Sequence, residues 1–600
     1  MPTIVPADDE THSHGDAPAS HDAAGAALAA AALLSACATV PPTGQRAAYQ
    51  YPSATTPEAA ARFLLQAQFS ASDAEVAAVM AQGFEPWLRQ QFAAPAGQSG
   101  CAWLDVRGYG QANKDTHYFD HSYPGDYMVW NQLMTRPDAV RVRLALALSE
   151  FFVVSLGGLD MGWRSHAMAH YWDTLCQHAL GNFRALLEAV TLHPAMGQYL
   201  NTRGSQKENP ATGRQPDENY AREVLQLFSI GLYQLSPDGS ERRDAQGRRI
   251  ETYQQSDIVN LARVFTGYDF DQSANVVTDL GDAKHRKVGN AAYTQRPMAF
   301  HADRHSLLEV RFLGTTIPAN TPGPQALRQA LDTIFHHPNV GPFFARQMIQ
   351  RLVTSNPRPA YVARVAAAFA NNGQGVRGDL AAVFAAVLLD DEARAPAGLM
   401  QNDFGRLREP MLRLVQWGRS FGLQSAQGSW KIGDLSNPAT QLGQSPLRSP
   451  SVFNYFRPGY VPPSTALARR QSQAPEFQLV HESSVAGYLN FMTGVIRRGL
   501  YVNDPDRPDN VPGSKNPLNG FDLQARYTQE LALVGDAPAL MRRLNRVLCA
   551  GQLSIATLST MTRALEATPL TAASSAEARL NRVAGAVLMV MACPEYLVQK

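Results

Sequence analysis

The 600-residue chain has no excess of charge of either sign, and cysteine is scarce in it. Its 53 basic and 52 acidic side chains leave a formal net charge of +1, so no overall field concentrates a polyanion on the surface. The five cysteines include no CxxC pair and no Cys/His spacing of the zinc-finger type. We therefore expect no nucleic-acid partner and no finger-type zinc site.

The short motifs of several common enzyme classes are also missing. We find no GxSxG nucleophile elbow, no Walker loop, no dinucleotide fingerprint and no HExxH zinc motif. His166 and His170 are four residues apart and could share a metal ion on one helix face, but the sequence assigns no acid to them. We predict no metal site, and the sequence leaves the cofactor unknown.

The amino terminus carries a hydrophobic run that is too short to cross a membrane. The run Ala23 to Ala36 has 14 residues, whereas a spanning helix needs about 20, and it matches the apolar region of a secretory signal. Because Leu34-Ser35-Ala36-Cys37 resembles a bacterial lipobox, we predict a signal peptide over residues 1–37 with lipidation at Cys37. Residues 1–36 hold five acids and no Lys or Arg, so an Ala-rich tail with a chance cysteine is the alternative.

Lipidation at Cys37 would determine the location of the protein and leave four cysteines that could form disulfides. Ala38 in place of Asp resembles lipoproteins sorted to the outer membrane, so we expect an outer-membrane or periplasmic lipoprotein held to the membrane by its lipid. Four cysteines remain, and in an oxidising compartment they permit two disulfides, with Cys549 and Cys593 the easiest pair. The other two are Cys101 and Cys176.

Helical periodicity dominates the chain after a tether at 38–56. Apolar residues recur at spacings of three and four in segment after segment. We predict a mostly α, multi-helical globular protein with long structured loops, in which 57–490 is the main domain and 491–600 a helical segment packed on it. Besides a helix that begins at Pro57, the periodic segments are 138–155, 169–191, 216–230, 256–266, 325–353, 360–371, 377–391, 403–421, 479–498, 521–549 and 575–592.

Strand signals are few, and the clearest lies at 232–253. Its turn dipeptides Asp238-Gly239 and Gln246-Gly247 predict one small irregular β-hairpin. The basic run SERRDAQGRR within it is interrupted and lacks aromatic neighbours, so we predict a solvated hairpin tip. Long loops rich in Pro, Gly and Asn are expected at 201–215, 268–296, 441–475 and 503–520.

The segment PDENYAREVLQLFSIGLYQL (216–235) is the most polar of the predicted helices. Pro216 suits a first turn and Gly231 a stop. At about 100° per residue, its polar side chains fall within an arc of about 140°. This stripe is either the solvated face of an amphipathic helix or part of a site, and under the second reading Arg222→Ala should unfold or inactivate the protein. The stripe consists of Glu218, Asn219, Arg222, Glu223 and Gln226.

Three motifs in one order identify a family. GNFRALLEAVTLHPAMGQYLNTR (181–203), the 216–235 segment and YQQSDIVNLARVFTGY (253–268) resemble the bacterial family called domain of unknown function 1800. The resemblance extends from about Pro57 to the final CPEYLVQ. It implies an exported protein. It also suggests as partner a co-encoded exported protein that resembles the alkaline phosphatase and sulfatase fold, because such genes often neighbour those of the family. The family has no established reaction, so activity stays open.

The chain departs from the family pattern after MAFHADRH (298–305). The family continues with His-Asp and then Gly and Lys before a Leu-Gly pair. Here His305 matches, while Ser306, Leu308 and Val310 stand where Asp, Gly and Lys are expected. If a His/Asp pair were catalytic in the family, this chain would lack the acid.

The segment 449–484 supplies the remaining candidates. Tyr455 and Tyr460, flanked by prolines, predict a rigid aromatic loop that stacks on sugar rings, docks a partner or plugs its own core. Glu476 and His481 in APEFQLVHESS either face the polar helix or simply begin another helix.

Two functions from different classes remain open. A binding or assembly role at the cell envelope is favoured because no complete catalytic set is visible. The alternative is a hydrolase of an envelope or extracellular polymer that uses carboxylates of the 216–230 helix and a second acid from elsewhere. The candidate catalytic residues are Glu218, Arg222, Glu223, His305 and Glu476, and the candidate binding residues are Asn219, Tyr455, Tyr460 and His481.

Overall fold

Helices account for about half of the described chain, which confirms the mostly α prediction. The computed structural model describes residues 52–509, 511 and 513–600. Cys37, the predicted signal peptide and most of the predicted tether lie outside these residues. The α-helices of the described part are α1 (Pro57–Ala67), α2 (Asp73–Gln82), α3 (Phe84–Ala93), α4 (Gly100–Val106), α5 (Tyr123–Thr135), α6 (Ala139–Ser149), α7 (Arg164–His178), α8 (Phe183–Thr191), α9 (Pro194–Tyr199), α10 (Asn219–Gln226), α11 (Gln255–Val264), α12 (Gly323–His336), α13 (Val340–Leu352), α14 (Pro359–Ala370), α15 (Leu380–Leu389), α16 (Asp391–Arg394), α17 (Pro410–Ser420), α18 (Ala466–Arg469), α19 (Glu482–Arg498), α20 (Thr528–Ala532), α21 (Ala537–Cys549), α22 (Ile555–Glu566), α23 (Ala576–Ala592) and α24 (Pro594–Leu597).

The strands are short and pair only antiparallel within the described residues. β1 pairs with β4, β2 with β3, β5 with β6 and β7 with β11, while β10 lies between β8 and β9. The strands are β1 (Tyr268–Asp269), β2 (Val277–Asp279), β3 (Lys287–Gly289), β4 (Ala299–Phe300), β5 (Val310–Phe312), β6 (Thr315–Ile317), β7 (Arg406–Leu407), β8 (Gln424–Ser425), β9 (Leu500–Val502), β10 (Gly520–Gln524) and β11 (Val598–Gln599).

Local sequence signals explain where many helices begin. Thr56 caps α1 by accepting a hydrogen bond from the Ala59 amide. Ser72 and Glu75 form a capping box at α2, each side chain binding the other residue's backbone amide. Such caps satisfy amides that have no partner inside the helix and contribute about 1 kcal/mol each.

One hydrophobic core runs through the described chain and includes its C-terminal segment. Phe63 of α1, Trp172 of α7, Phe344 of α13 and Val587 of α23 all belong to it and are fully buried. Each large apolar side chain buried in this way contributes roughly 1.5 to 3 kcal/mol. Residues Tyr51–Lys600 form one compact unit.

Some predicted helices are divided in the structure. The prediction of one helix over 325–353 is wrong, because α12 ends at His336 and α13 begins at Val340. Pro338 lies between them, where its ring and missing N–H disfavour a continuous helix. The segment 521–549 likewise starts as strand β10 before α20 and α21.

Cys101, Cys176, Cys549 and Cys593 are all free thiols. The Cys549–Cys593 disulfide that the cysteine count permits is therefore not formed. Burial raises the pKa of the Cys549 thiol well above its usual range. Within the described part of the chain, no helix combines the length and the apolar character needed to cross a membrane.

Candidate functional site

The polar stripe lies on α10, which is shorter than predicted. Glu218 precedes its first residue, and the Arg222 Nη2 atom donates to Glu218 Oε2 over 3.1 Å. Gln255 of α11 donates to the same carboxylate oxygen over 2.8 Å. The side chains of Arg222 and Glu218 are 39% and 35% exposed. This pair is therefore a half-exposed surface contact, as expected for a solvated helix face.

Glu223 is the stripe residue that faces inward. It is only 7% exposed, and its Oε2 atom is buried without a hydrogen-bond partner in the described structure. Burial raises the pKa of this carboxyl, and the nearby Arg222 guanidinium opposes the rise. Asn219, four residues before Glu223, donates from its backbone amide to the Asp217 Oδ1 atom over 2.8 Å.

His305 lies in the protein interior near the start of the β5–β6 hairpin. Its Nδ1 atom is 2.9 Å from the Thr266 carbonyl oxygen and its ring packs edge-on against Phe300. Burial lowers the pKa of this imidazole. The neighbouring Ser306, which replaces the family's Asp, donates to the Glu208 carboxylate over 2.8 Å. The charge of Glu208 acts on the His305 imidazole and opposes the effect of burial on its pKa, but no hydrogen bond between these two side chains is present in the described residues.

Glu476 is enclosed by its own ion partners. Its Oε1 atom accepts from Arg406 Nε over 3.0 Å, and Arg406 also pairs with Glu409 through Nη2. The Gln444 amide donates to the other Glu409 oxygen over 2.7 Å. Arg406 and Glu409 are completely buried and Glu476 nearly so. These contacts fit a structural polar core better than an acid that meets a substrate.

Three more charged side chains extend this group. Arg351 lies 3.8 Å from Glu150, and Arg143 donates to the Arg351 carbonyl oxygen over 2.6 Å. Neither oxygen of the Glu150 carboxyl has a hydrogen-bond partner in the described residues, and burial raises its pKa well above the usual range. We call the six side chains the buried ion cluster: Arg143, Glu150, Arg351, Arg406, Glu409 and Glu476.

The candidate binding residues of 449–484 have mostly internal partners. The Tyr455 hydroxyl donates to the Arg448 carbonyl over 2.7 Å and accepts from the Ser445 amide over 3.1 Å. His481 caps α19, because its Nδ1 atom accepts from the Ser484 amide over 3.3 Å. Tyr460 is half-buried, and its carbonyl accepts from the Ala474 amide. Tyr455 and His481 therefore hold local structure.

The predicted catalytic residues do not contact one another as one group. No hydrogen bond or ion pair among the described residues links the α10 stripe to His305 or Glu476. His166 and His170 have separate partners, Asp105 at 3.2 Å and His193 at 2.8 Å. Residues 52–600, where described, hold no cluster of three His, Cys, Asp or Glu side chains that could bind a metal.

A cleft of about 660 Å³ opens beside the C-terminal end of α10. The 232–253 hairpin, α13 and the loop 453–473 form its three walls. Gln226, the last residue of α10, lines the remaining side. Its volume is in the range of small-molecule sites in proteins. We call it the hairpin cleft. Glu218, Glu223, His305 and Glu476 do not line it.

The hairpin wall is fixed to α13 by Asn339. Its amide nitrogen donates to the carbonyls of Ile230 and Tyr233 over 2.9 and 2.8 Å, and its oxygen accepts from the Leu235 amide over 2.9 Å. Gly231 has a φ of 71°, and a Cβ there would lie 2.6 Å from the Phe343 ring. Both features fix the direction in which the hairpin leaves α10.

The loop wall is fixed to α13 by Gln350. Its amide nitrogen donates to the carbonyls of Ser355 and Pro458 over 3.0 and 3.3 Å, and to the Gln473 Oε1 atom over 2.8 Å. Arg346, one turn earlier, donates to the same Gln473 oxygen over 3.1 Å. One glutamine therefore joins the helix to both ends of the loop.

The α13 wall of the cleft is connected to the buried ion cluster. Arg351 donates from Nη1 to the Gln347 Oε1 atom over 2.5 Å. Since the amide oxygen of Gln347 is engaged there, its nitrogen is left for the cleft. Arg351 of the ion cluster thus orients the Gln347 side chain, which lines the cleft.

Two of the cleft walls carry sequence signals, although the sequence did not predict that they meet. The hairpin and the aromatic loop were marked by their turn dipeptides and prolines, but Arg249 was assigned to a solvated tip. Arg346 and Gln473 carried no signal, because an arginine on an amphipathic helix and a glutamine in a loop are common on any surface. Arg346 and Gln473 line a cleft only because the hairpin, α13 and the 453–473 loop, which are distant in sequence, meet in the folded protein.

Comparison with known proteins gives one match. The family model described as a protein of unknown function, DUF1800, matches residues 62–598. No curated protein and no solved structure matches the chain. Because the match covers most of its length, the chain belongs to the DUF1800 family.

Proposed function

We propose that this protein is an exported, envelope-associated binding protein whose hairpin cleft holds a segment of an envelope or extracellular polymer. The observation that carries the proposal is the cleft itself, which three separate chain segments build around side chains with unused polar groups. Open clefts with a few convergent polar groups on an apolar lining are the usual form of binding sites.

Blocking the cleft tests this proposal. Gly459 lines the cleft, and a Cβ added there meets no atom within 4 Å. Gly459→Trp should therefore fill the cleft without disturbing the core. We expect the wild-type chain to sediment with at least one insoluble polymer among peptidoglycan sacculi, surface polysaccharide and exopolysaccharide, and the variant to lose most of that binding.

Gly535→Trp is the matched control. Gly535 lies in a turn away from the cleft, and a Cβ there also meets no atom within 4 Å. The control should sediment like the wild type, and all three proteins should melt at similar temperatures. Equal sedimentation of Gly459→Trp and wild type would remove the cleft from the proposal.

The second candidate is a hydrolase of such a polymer, and Glu223 favours it. Burial raises the pKa of the Glu223 carboxyl, so it keeps its proton to a higher pH than an exposed carboxyl does. A protonated carboxyl can donate its proton to a leaving oxygen while water adds to the other side of the broken bond. Glu218 lies about 140° from Glu223 around the helix and is held by Arg222 and Gln255, so the second acid would have to come from another element.

If the protein hydrolyses its polymer, new reducing ends of the polymer should appear. The wild type should release reducing ends from its polymer, and Glu223→Gln should abolish release while leaving sedimentation unchanged, because the amide keeps the shape but cannot donate the proton. Release at the wild-type rate by this variant would eliminate Glu223 as the acid.

Anchoring and partnership are part of the same proposal. We propose acylation at Cys37, location in the outer membrane or periplasm, and association with a co-encoded exported protein resembling the alkaline phosphatase and sulfatase fold. Metabolic labelling with an alkyne fatty acid should mark the wild type, and Cys37→Ser should be unlabelled. Co-purification of the neighbouring gene product from membranes tests the partner.

A further inference from the structure

The hairpin cleft has an arginine on each of its three walls. Arg249 lies on the hairpin, Arg346 on α13 and Arg457 on the loop, while Glu241 is the one acid of the lining. We propose that the ligand of this cleft is an acidic polysaccharide, bound through the negative groups on its sugar rings. The inference rests on the proposed binding function and names its ligand class.

Arg346 is the strongest single indication. Its side chain is half-buried, and no carboxylate of the described residues lies within ion-pair distance of it, although Glu241 acts on it from further away. Burial lowers the pKa of Arg346, and the more distant Glu241 opposes this lowering only in part. The guanidinium donates to the neutral Gln473 amide oxygen over 3.1 Å, and a charge withdrawn from water without a counter-charge is costly. An anionic group in the cleft would complete the interaction that the protein leaves unmade.

Arg249 and Arg457 are presented by aromatic rings at the cleft rim. The guanidinium of Arg249 lies 3.8 Å from the Tyr233 ring centre, and that of Arg457 lies 5.0 Å from the Phe453 ring centre. Stacking of this kind holds the plane of the guanidinium, from whose edge two parallel hydrogen bonds to one anionic group can be donated. The edge of Arg457 forms no ion pair in the described residues, whereas Arg249 Nη1 already reaches Glu241 over 3.5 Å.

Glu241 does not neutralise this set. It is shared between Arg249, 3.5 Å away, and Arg243, 3.8 Å away. Arg457, like Arg346, forms no ion pair in the described part of the chain. Three cations facing one already engaged acid leave the cleft positive although the whole chain is nearly neutral.

The remaining polar groups suit sugar hydroxyls. Gln226 makes no side-chain hydrogen bond with the described residues, and the amide nitrogens of Gln347 and Gln473 are likewise unused. A side-chain amide donates and accepts, as a hydroxyl does. Leu232 and Phe343 add apolar surface for the C–H face of a sugar ring.

Nucleic acid fits the cleft less well. Its binding depends on many phosphate contacts along an extended basic surface, whereas the net charge of the chain is +1. An acidic peptide would satisfy the arginines, but it offers few hydroxyls to the three amides. The amides therefore favour the sugar.

Calorimetry with a matched set of oligomers tests the inference on the full chain. The set is hexagalacturonate, its fully methyl-esterified form, a sulfated hexasaccharide and hexaglutamate. We expect the two acidic sugars to bind at least about tenfold more tightly than the ester, because only they offer charged acceptors to the arginine guanidinium groups. Comparing the carboxylated and sulfated sugars identifies which anionic group the arginines prefer.

Arginine variants locate the binding. Arg346→Gln should weaken acidic-sugar binding by about tenfold, and Arg249→Gln and Arg457→Gln by a few fold. Arg346→Lys keeps the charge and should retain part of the affinity. Arg248→Gln is the control, because Arg248 is on the same hairpin but pairs with Asp244 at the surface. Thermal melts of each variant show that it is folded.

Each other result overturns the inference in a recognisable way. Equal binding of the methyl ester would show that charge is irrelevant, and tighter binding of hexaglutamate would identify a peptide site. If none of the four binds while Gly459→Trp still loses polymer sedimentation, the binding function stands and the acidic-sugar class fails. If Gly459→Trp loses nothing, the proposed function itself fails.

Discussion

Arg406 donates from Nε to the Oε1 atom of Glu476 over 3.0 Å, and both side chains are buried in the centre of the chain. The same guanidinium binds Glu409 and the carbonyl of Arg351. It is therefore satisfied by groups from three segments that are far apart in sequence. These Arg406 contacts join β7 and α17 to the end of α13 and to the 475–479 turn.

Loss of Glu476 should be strongly destabilising. Glu476→Ala leaves Arg406 with one carboxylate fewer in a site that water does not reach, so we expect a loss of about 3 to 5 kcal/mol in the free energy of unfolding. Chemical denaturation measures it. Glu482→Ala, an exposed acid in the first turn of α19, should change stability by less than about 1 kcal/mol. A similarly small loss for Glu476→Ala would contradict the structural role of the cluster.

Loss of Arg222 should be mild. Its partner Glu218 is half-exposed, and exposed pairs contribute about 0 to 1 kcal/mol. We therefore expect Arg222→Ala to fold and to melt within a few degrees of the wild type. This replaces the sequence-based expectation of unfolding or inactivation. An unfolded variant would show that the pair supports more than the surface contact seen here.

The stability of the protein should depend on the ionisation of Glu223. Because the folded pKa of this carboxyl is raised, folding favours the protonated form. That contribution is complete below the unfolded pKa of about 4.3 and is lost as the pH rises through the folded pKa. Glu223→Gln has no proton to lose, so its stability should fall less than that of the wild type between pH 4.5 and pH 8. Parallel curves for the two proteins would mean that Glu223 ionises normally.

Asn339 should control the order of the hairpin. Asn339→Ala removes one buried and two partly buried hydrogen bonds to the hairpin base, at a cost of about 2 to 4 kcal/mol. Hydrogen exchange across 232–253 should accelerate, and polymer binding should weaken. Asn219→Ala is the control, since the Asn219 side chain makes no hydrogen bond in the described residues. Unchanged exchange in the hairpin would show that other contacts fix this wall.

The sequence predicted local elements well. The turn dipeptides of 232–253 predicted its two reversals, and Gly239 and Gly247 both adopt the positive φ that such turns favour. Periodicity identified most helices, but it joined α12 to α13 and extended α10 beyond Gln226. Breaks of this kind depend on single prolines and on where the next segment packs.

The sequence likewise predicted only part of the candidate site. Glu218, Arg222 and Glu223 were placed on one polar face by helical spacing alone. Arg222 and Glu223 do lie on α10, and Glu218 is the residue just before it. Spacing cannot show that Glu218 and Arg222 face water while Glu223 turns inward, because that depends on what covers the helix. It also cannot pair Glu476 with Arg406, which lies 70 residues earlier.

By itself the sequence determined the helical class, the family and the position of the turns, because these follow from periodicity, motif order and backbone preferences over a few residues. Only the tertiary structure decided which charges are buried together and which arginines meet in one cleft. Burial and electrostatic pairing depend on distances in space, and side chains hundreds of residues apart acquire those distances only when the chain folds.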